Sequence, residues 1–141
     1  MDEAKDLSDW LGGAANSAQA AFLEEHNARE QTLKMSRDII RHSANSIRAT
    51  HRGEFDRAEE LIAQVASLAS EIAAHRDAYP RVYYGGFAED ALKEYAEAAA
   101  TLAFVHGEPP PGAADLGIGA APYINGLAEA DFYMDMEPSE W

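Results

Sequence analysis

The chain contains no cysteine among its 141 residues. Disulfide bonds, thiolate zinc sites and cysteine nucleophiles are therefore excluded as sources of stability or activity. Lysine is also scarce, because Lys5, Lys34 and Lys93 are its only occurrences against eight arginines. No apolar run approaches the roughly 20 residues that cross a membrane, and the acidic N-terminus lacks the basic start of a signal peptide. These absences predict a soluble, cytoplasmic protein with no membrane contact.

The sequence also lacks the alternating apolar pattern of β-strands and a glycine-rich phosphate loop. Its histidines show no His-x-x-x-His spacing, so they do not indicate a metal site. The length and the 47% of hydrophobic residues suit one domain with a real core. We therefore predict a single all-α domain over residues 1–141.

The net charge of −14 comes from 25 acidic and 11 basic residues. Such a balance ordinarily argues against a nucleic-acid partner, because phosphate binding needs a basic surface. Few lysines and abundant alanine, aspartate and glutamate are, however, the composition of a protein kept soluble at very high salt, where self-repulsion is screened. We expect a halophilic source, so local basic patches matter more than the total charge.

Helical periodicity and the positions of glycine and proline predict an array of helices separated by turns. A turn is expected at Gly53, a hinge at residues 83–86 and a loop at residues 107–112. The predicted helices cover residues 2–12, ended by Gly12 and Gly13, then 17–51, 55–78 and 87–105, and a last segment from Pro122. Residues 134–141 show no periodicity.

The long second helix carries an apolar face. Phe22, Leu33, Ile40 and Ile47 lie within roughly 40° of one another at 100° per residue. Long helices with apolar faces and few partners within the chain predict an oligomer.

A basic stripe lies along the same helix. Helical geometry places five of the eleven basic residues within roughly 60°, and His51 lies close to them. Clustered cations in so acidic a chain indicate a phosphate-binding surface, although pairing with Glu30, Asp38 or Glu54 explains them equally well. The stripe consists of Lys34, Arg37, Arg41, Arg48 and Arg52.

An acidic stripe follows on the helix over residues 87–105. Asp90, Glu94 and Glu97 recur at i+4 and i+3, so their carboxylates crowd on one side. Crowded acids repel one another unless a cation lies between them, and Mg²⁺ or Mn²⁺ prefers such oxygen ligands. The alternative is a solvated acidic face.

Three segments, residues 37–55, 78–87 and 91–98, together resemble the translin family in its archaeal form. The resemblance covers roughly residues 15–130 and leaves residues 131–141 as a divergent tail. It implies an antiparallel all-α bundle that assembles into hollow, barrel-like oligomers enclosing single-stranded RNA or DNA. On this reading, Arg37, Arg41, Arg48, His51 and Arg52 hold the phosphate backbone.

Within that family, the translin-associated factor X branch carries a metal-dependent endoribonuclease site with the pattern Gly-Leu-x-Glu-Tyr-x-Glu-Ala. Residues 91–98 match it apart from the opening glycine. Residues 123–129 match the segment that carries the third acid. The resemblance therefore implies that Glu94, Glu97 and Glu129 hold Mg²⁺ or Mn²⁺, whereas Asp90 has no family counterpart.

Family members continue past the third acid with further helices, whereas this chain leaves the pattern near Ala130. Three functions are therefore possible for a C-terminally shortened member of the family. The first is a nuclease, the second is a binding module without turnover, and the third is an assembly subunit that docks onto a copy of itself or a longer translin-family chain.

Overall fold

The computed structural model describes residues 2–84 and 86–135, and every regular element in that part of the chain is a helix. The all-α prediction is therefore confirmed. In the described ranges, no helix is long and apolar enough to cross a membrane. The helices are α1 (Asp2–His51), α2 (Phe55–Ala78), α3 (Pro80–Tyr83), α4 (Phe87–Val105), α5 (Ala113–Leu116) and α6 (Ala120–Met134).

Helix α1 runs without a break for 50 residues, so the predicted end at Gly12 and Gly13 is wrong. A glycine ends a helix when it adopts a left-handed conformation, and neither of these glycines has a positive φ. Each costs the helix about 1 kcal/mol relative to alanine. Alanine-rich flanking sequence offsets that cost and carries the helix through.

The face of α1 that packs against the rest of the chain is not the predicted apolar face. Phe22 is 67% exposed and Ile40 is 41% exposed. The buried positions are mostly small: Ala28, Thr32, Ser36, Ile39, Ser43, Ser46, Ala49 and Thr50. Small side chains let α1 lie close to the alanine-rich α4, so a stripe with low hydropathy forms the interface.

Most buried hydroxyl groups on this face are paired with backbone or with α2, whereas the Ser43 hydroxyl has no hydrogen-bond partner among the described residues. Ser46 donates to the carbonyl of Ala58 at 3.0 Å, and Thr32 is joined to His75 by a 2.6 Å hydrogen bond. Ser36 donates to the Thr32 carbonyl one turn earlier. The bonds of Ser46 and Thr32 tie α1 to α2 along a face that the hydrophobic pattern alone would not select.

The remaining boundaries follow the sequence closely. Gly53 has φ 77° in the predicted turn, and α2 ends at Ala78 ahead of Pro80, as expected. The short helix α3 precedes the expected hinge and ends at its first residue, Tyr83, and Gly85 lies outside the described residues. Helix α6 begins at Ala120, two residues before the predicted start, and α5 was not predicted. The predicted tail beyond residue 135 lies outside the described residues.

Helix α4 lies at the centre of the domain. It packs against α1 on one side and α6 on another, with a smaller contact to α2. Its buried side chains include Leu92 and Tyr95, which join Ile39, Val65 and Ile72 in the main core. The acidic stripe on α4 is therefore carried by the best-packed helix of the chain.

Candidate functional site

Three acidic side chains from two helices meet at one place. Glu94 and Glu97 are on α4, Glu129 is on α6, and a carboxylate oxygen from each lies within 4.8 Å of the other two. Glu97 is buried, while Glu94 and Glu129 are half-buried. The structure thus brings together the three acids that the family resemblance implies, and we call them the carboxylate cluster.

A glycine on α6 explains why the two helices come this close. A Cβ atom added at Gly126 would lie 2.6 Å from the Ala96 Cβ, 2.6 Å from the Lys93 carbonyl oxygen and 2.9 Å from the Glu97 amide nitrogen. The backbone of α6 therefore rests directly on the backbone of α4. Glu129 follows Gly126 by three residues, so it lies on the same face of α6 and reaches Glu97.

The donor set suits a hard divalent cation. Opposite oxygens around an octahedral Mg²⁺ lie about 4.2 Å apart, since each bond is about 2.1 Å long. The cluster oxygens lie within 4.8 Å of one another, so the carboxylates would have to move inward to reach the separations of about 3.0 to 4.2 Å that oxygens have on one octahedral ion. Carboxylates also match the oxygen preference of Mg²⁺ and Mn²⁺.

The pKa values of Glu97 and Glu129 are shifted in opposite directions. Burial raises the pKa of Glu97 from 4.5 to about 8, and hydrogen bonding with Glu129 and the negative charge of Glu94 add to the rise. Burial alone would also raise the pKa of Glu129, but hydrogen bonds from Glu97 and Lys93 outweigh it, so that pKa is lowered. Glu97 is therefore protonated at neutral pH without metal and donates to an ionised Glu129.

A basic residue that the sequence reasoning missed lies in the cluster. The Nζ atom of Lys93 is 3.1 Å from Glu129 and 3.8 Å from Glu94. Its hydrogen bond to Glu129 is the main reason that its pKa is raised. Lys93 is one turn before Glu97 on α4, so helical spacing was a usable signal.

Asp90 does not belong to the cluster. It lies in the first turn of α4, and its negative charge acts on Lys93 from outside. Spacing alone selected Asp90 with Glu94 and Glu97, whereas the third acid comes from α6. Periodicity within one helix carries no information about which acid another helix contributes.

Four members of the basic stripe lie on α1, and Arg52 is in the turn directly after it; both Arg41 and Arg52 are exposed. Arg41 pairs with Asp38 at 3.1 Å and Arg52 with Glu54 at 3.0 Å, two of the acids that the alternative reading named. Exposed pairs of this kind contribute about 0–1 kcal/mol, so they do not prevent the arginines from binding phosphate. Arg48 donates to the side chain of Asn45.

His51 differs from the other members of the stripe. Burial lowers its pKa, so the imidazole is neutral near pH 7 and offers no positive charge to a phosphate. Its predicted role in holding the backbone is therefore weaker than that of the arginines around it.

The stripe and the cluster face different ways within one chain. At 100° per residue, the stripe is centred roughly opposite the small-residue face of α1 that packs against α2 and α4. The carboxylates lie between α4 and α6. One chain therefore does not bring the two predicted surfaces onto a common face.

No protein-family model matches the chain, and no curated protein matches it. Solved structures of C3PO proteins are similar to it. A structure of AfC3PO in complex with duplex RNA has a TM-score of 0.75 and 31% identity over 83% of this chain. The crystal structure of AfC3PO has a TM-score of 0.76 and 28% identity over 90% of this chain.

The crystal structure of apo-NeC3PO shares the fold, with a TM-score of 0.74 over 89% of this chain and 17% identity. The chain spans 60% of the length of the first of these structures, 71% of the second and 73% of the third. Its helices therefore reproduce the larger part of those longer chains.

Proposed function

We propose that this chain, which has a translin-like fold and joins three carboxylates between α4 and α6, binds nucleic acid and cleaves RNA with a divalent ion. The carboxylate cluster is the observation that carries this proposal. A solvated acidic face would leave all three acids exposed and apart, whereas Glu97 is only 5% exposed. Burying an ionised acid among other acids is unfavourable unless a cation offsets its charge.

In this proposal Glu94, Glu97 and Glu129 hold Mg²⁺ or Mn²⁺. Such an ion supplies a water of lowered pKa and stabilises the negative charge that develops on a phosphate during cleavage. The chain's part is to release the Glu97 proton and to hold the three carboxylates on two rigid helices. Gly126 fixes the distance between those helices.

The nucleic acid is held by the arginines of the basic stripe, with Arg37, Arg41 and Arg48 of α1 and Arg52 of the following turn contacting phosphates. Their positive charges are clustered in a chain that is otherwise acidic. Clustered arginines favour contact with the phosphate backbone of the nucleic acid, which gives no sequence preference. The AfC3PO structure in complex with duplex RNA supports RNA as the partner. We propose single-stranded RNA as the substrate, to be compared directly with duplex RNA and single-stranded DNA.

An oligomer is part of the proposal, because stripe and cluster face apart within one chain. Copies of this chain, or a longer translin-family chain, would supply the second surface.

A second candidate function is binding without turnover. The observation that favours it is the Lys93 ammonium, 3.1 Å from Glu129, which already neutralises part of the cluster. A chain that uses lysine as its permanent counter-cation would bind nucleic acid through α1 and leave it intact.

The test is cleavage of labelled single-stranded RNA in molar KCl with Mn²⁺ or Mg²⁺. The wild-type protein is compared with Glu94→Gln/Glu97→Gln and with Glu24→Gln/Glu71→Gln, which removes two exposed acids elsewhere. We expect metal-dependent cleavage that falls at least about 100-fold in the cluster variant only, as losses of transition-state charge stabilisation do.

RNA binding without cleavage by folded wild-type protein would replace the nuclease with the binding module. Absence of both RNA binding and cleavage would contradict the proposed function as a whole.

A further inference from the structure

Lys93 is half-buried on α4, and two members of the carboxylate cluster lie around its ammonium group. The nitrogen is 3.1 Å from an oxygen of Glu129 and 3.8 Å from an oxygen of Glu94. Asp90 adds a more distant negative charge on the same side of the helix. A flexible lysine stem would otherwise extend into water, so this position reflects the attraction of the acids.

The ammonium group occupies the position of a counter-ion. It is a compact cation with three N–H donors, and it neutralises one of the negative charges that the cluster concentrates. The oxygens it contacts belong to two of the three side chains that converge, one from each helix. A divalent ion bound by the same oxygens has to displace it or share them with it.

We propose that Lys93 is a tethered counter-cation of the cluster, which holds Glu94 and Glu129 together when no divalent ion is bound and competes with that ion for their oxygens. This inference rests on the proposed metal site. It makes Lys93 a positioning residue that sets how tightly the site takes a metal. The affinity for the ion is then lower than three carboxylates alone would give.

The inference is specific to this lysine. Lys34, in contrast, lies on the basic stripe of α1, away from α4 and α6. Replacing either lysine with methionine keeps the length of the side chain and makes the net charge one unit more negative. The two variants therefore separate a local effect at the cluster from the effect of total charge.

The experiment is a Mn²⁺ titration followed by the electron paramagnetic resonance signal of free Mn²⁺, at fixed pH and KCl concentration. Wild type, Lys93→Met, Lys34→Met and Glu97→Gln are compared. We expect Lys93→Met to lower the Kd for Mn²⁺ at least tenfold and Lys34→Met to leave it within twofold. Without Mn²⁺, Lys93→Met should unfold at a lower temperature than wild type, because its acids repel, and added Mn²⁺ should remove the difference.

A Kd for Lys93→Met equal to or weaker than that of wild type would overturn the inference while leaving the metal site standing. If Lys93→Met does not fold, Lys93→Arg keeps a cation at the position and must bind Mn²⁺ no more tightly than wild type; tighter binding overturns the inference. Wild-type binding that Glu97→Gln does not weaken would show that the ion binds elsewhere. In that case the proposed metal site and this inference both fail.

Discussion

The carboxyl group of Glu97 is buried beside the acidic side chains of Glu94 and Glu129. Its negative charge is therefore less favourable than the charge of either neighbour. Its pKa of about 8 means that the folded protein without metal keeps a proton there that the unfolded chain releases near pH 4.5. A proton held more tightly in the folded state stabilises that state below the unfolded pKa. The stabilisation is lost as the pH rises towards the folded pKa.

We therefore predict that, in the presence of a chelator, the unfolding temperature of the wild-type protein falls between about pH 4.5 and pH 8. Glu97→Gln should remove most of this fall, because a glutamine amide stays neutral and still donates to Glu129. Thermal unfolding followed by circular dichroism across this range measures both. The exposed control Glu71→Gln should keep the wild-type slope, and an equally steep slope in Glu97→Gln would contradict the assignment.

How far the sequence predicts individual residues depends on which helix carries them. Glu94 and Glu97 follow from spacing within α4, since i+3 neighbours share a face. Glu129 lies on another helix, so only the family resemblance placed it there. Lys93 was missed because a lysine near acids on a helix is ordinarily a surface ion pair.

Gly126 shows at the scale of elements how packing between helices creates the site. A methyl group at this position would overlap both the Ala96 side chain and the α4 backbone. Neither neighbour is a flexible side chain that can move aside. The helices would have to separate, and Glu129 would move away from Glu97.

Gly126→Ala is accordingly expected to lower the free energy of unfolding by about 1–3 kcal/mol, the usual effect of overpacking. It should also weaken Mn²⁺ binding, because the third carboxylate moves out of reach. Chemical denaturation and the Mn²⁺ titration measure the two effects. Gly119→Ala is the matched control, since its added Cβ would meet only Pro122 at 3.9 Å; equal behaviour of the two variants would argue against the close helix packing.

The basic stripe is an element-scale feature, because all its members except Arg52 share one face of α1. We predict that Arg37→Gln/Arg48→Gln weakens binding to single-stranded RNA and lowers the log–log slope against salt concentration by about 1.4, or 0.7 for each phosphate that is no longer neutralised. The control Arg57→Gln/Arg76→Gln removes two arginines from α2. Fluorescence anisotropy at several KCl concentrations provides the slopes, and an unchanged slope for the α1 variant would show that Arg37 and Arg48 contact no phosphate.

The helix boundaries show what local sequence contains and what it omits. Gly53 and Pro80 predict both ends of α2, and its buried positions, including Leu61, Val65 and Ile72, are large, apolar and at helical spacing. The packed face of α1 is not predictable in this way, because its serine, threonine and alanine side chains form no apolar pattern. These small side chains stabilise the fold only by letting a neighbouring helix pack closely. The low helix propensity of Gly12 and Gly13 predicts a helix end when these two residues are considered alone. The helix-forming sequence on either side carries α1 through them.

At the scale of the whole molecule, the first half of α1 extends beyond the rest of the described chain. Nearly all side chains from residue 2 to residue 27 are exposed. Large apolar residues in this segment include Leu7 at 58%, Trp10 at 67% and Leu11 at 53% exposure. An isolated helix with such a face gains stability when another helix covers it.

Self-association through this segment is the expected consequence. In molar KCl, sedimentation equilibrium should give a mass that is a multiple of 15.3 kDa for the wild-type protein. Leu7→Glu/Leu11→Glu should lower that mass, because charges on the apolar face oppose its burial. Gln19→Glu/Asn27→Glu adds the same charge at polar positions and should not, whereas a monomeric wild-type protein would contradict the proposed assembly.

The central claim is that α4 and α6 together form one divalent-cation site. The most direct measurement is an anomalous difference map from crystals of the protein soaked in Mn²⁺. We predict a peak about 2.0–2.3 Å from oxygens of Glu94, Glu97 and Glu129, with the Lys93 ammonium moved off the oxygens that the ion takes. A map with no peak there, at a Mn²⁺ concentration that saturates binding in solution, would contradict the claim.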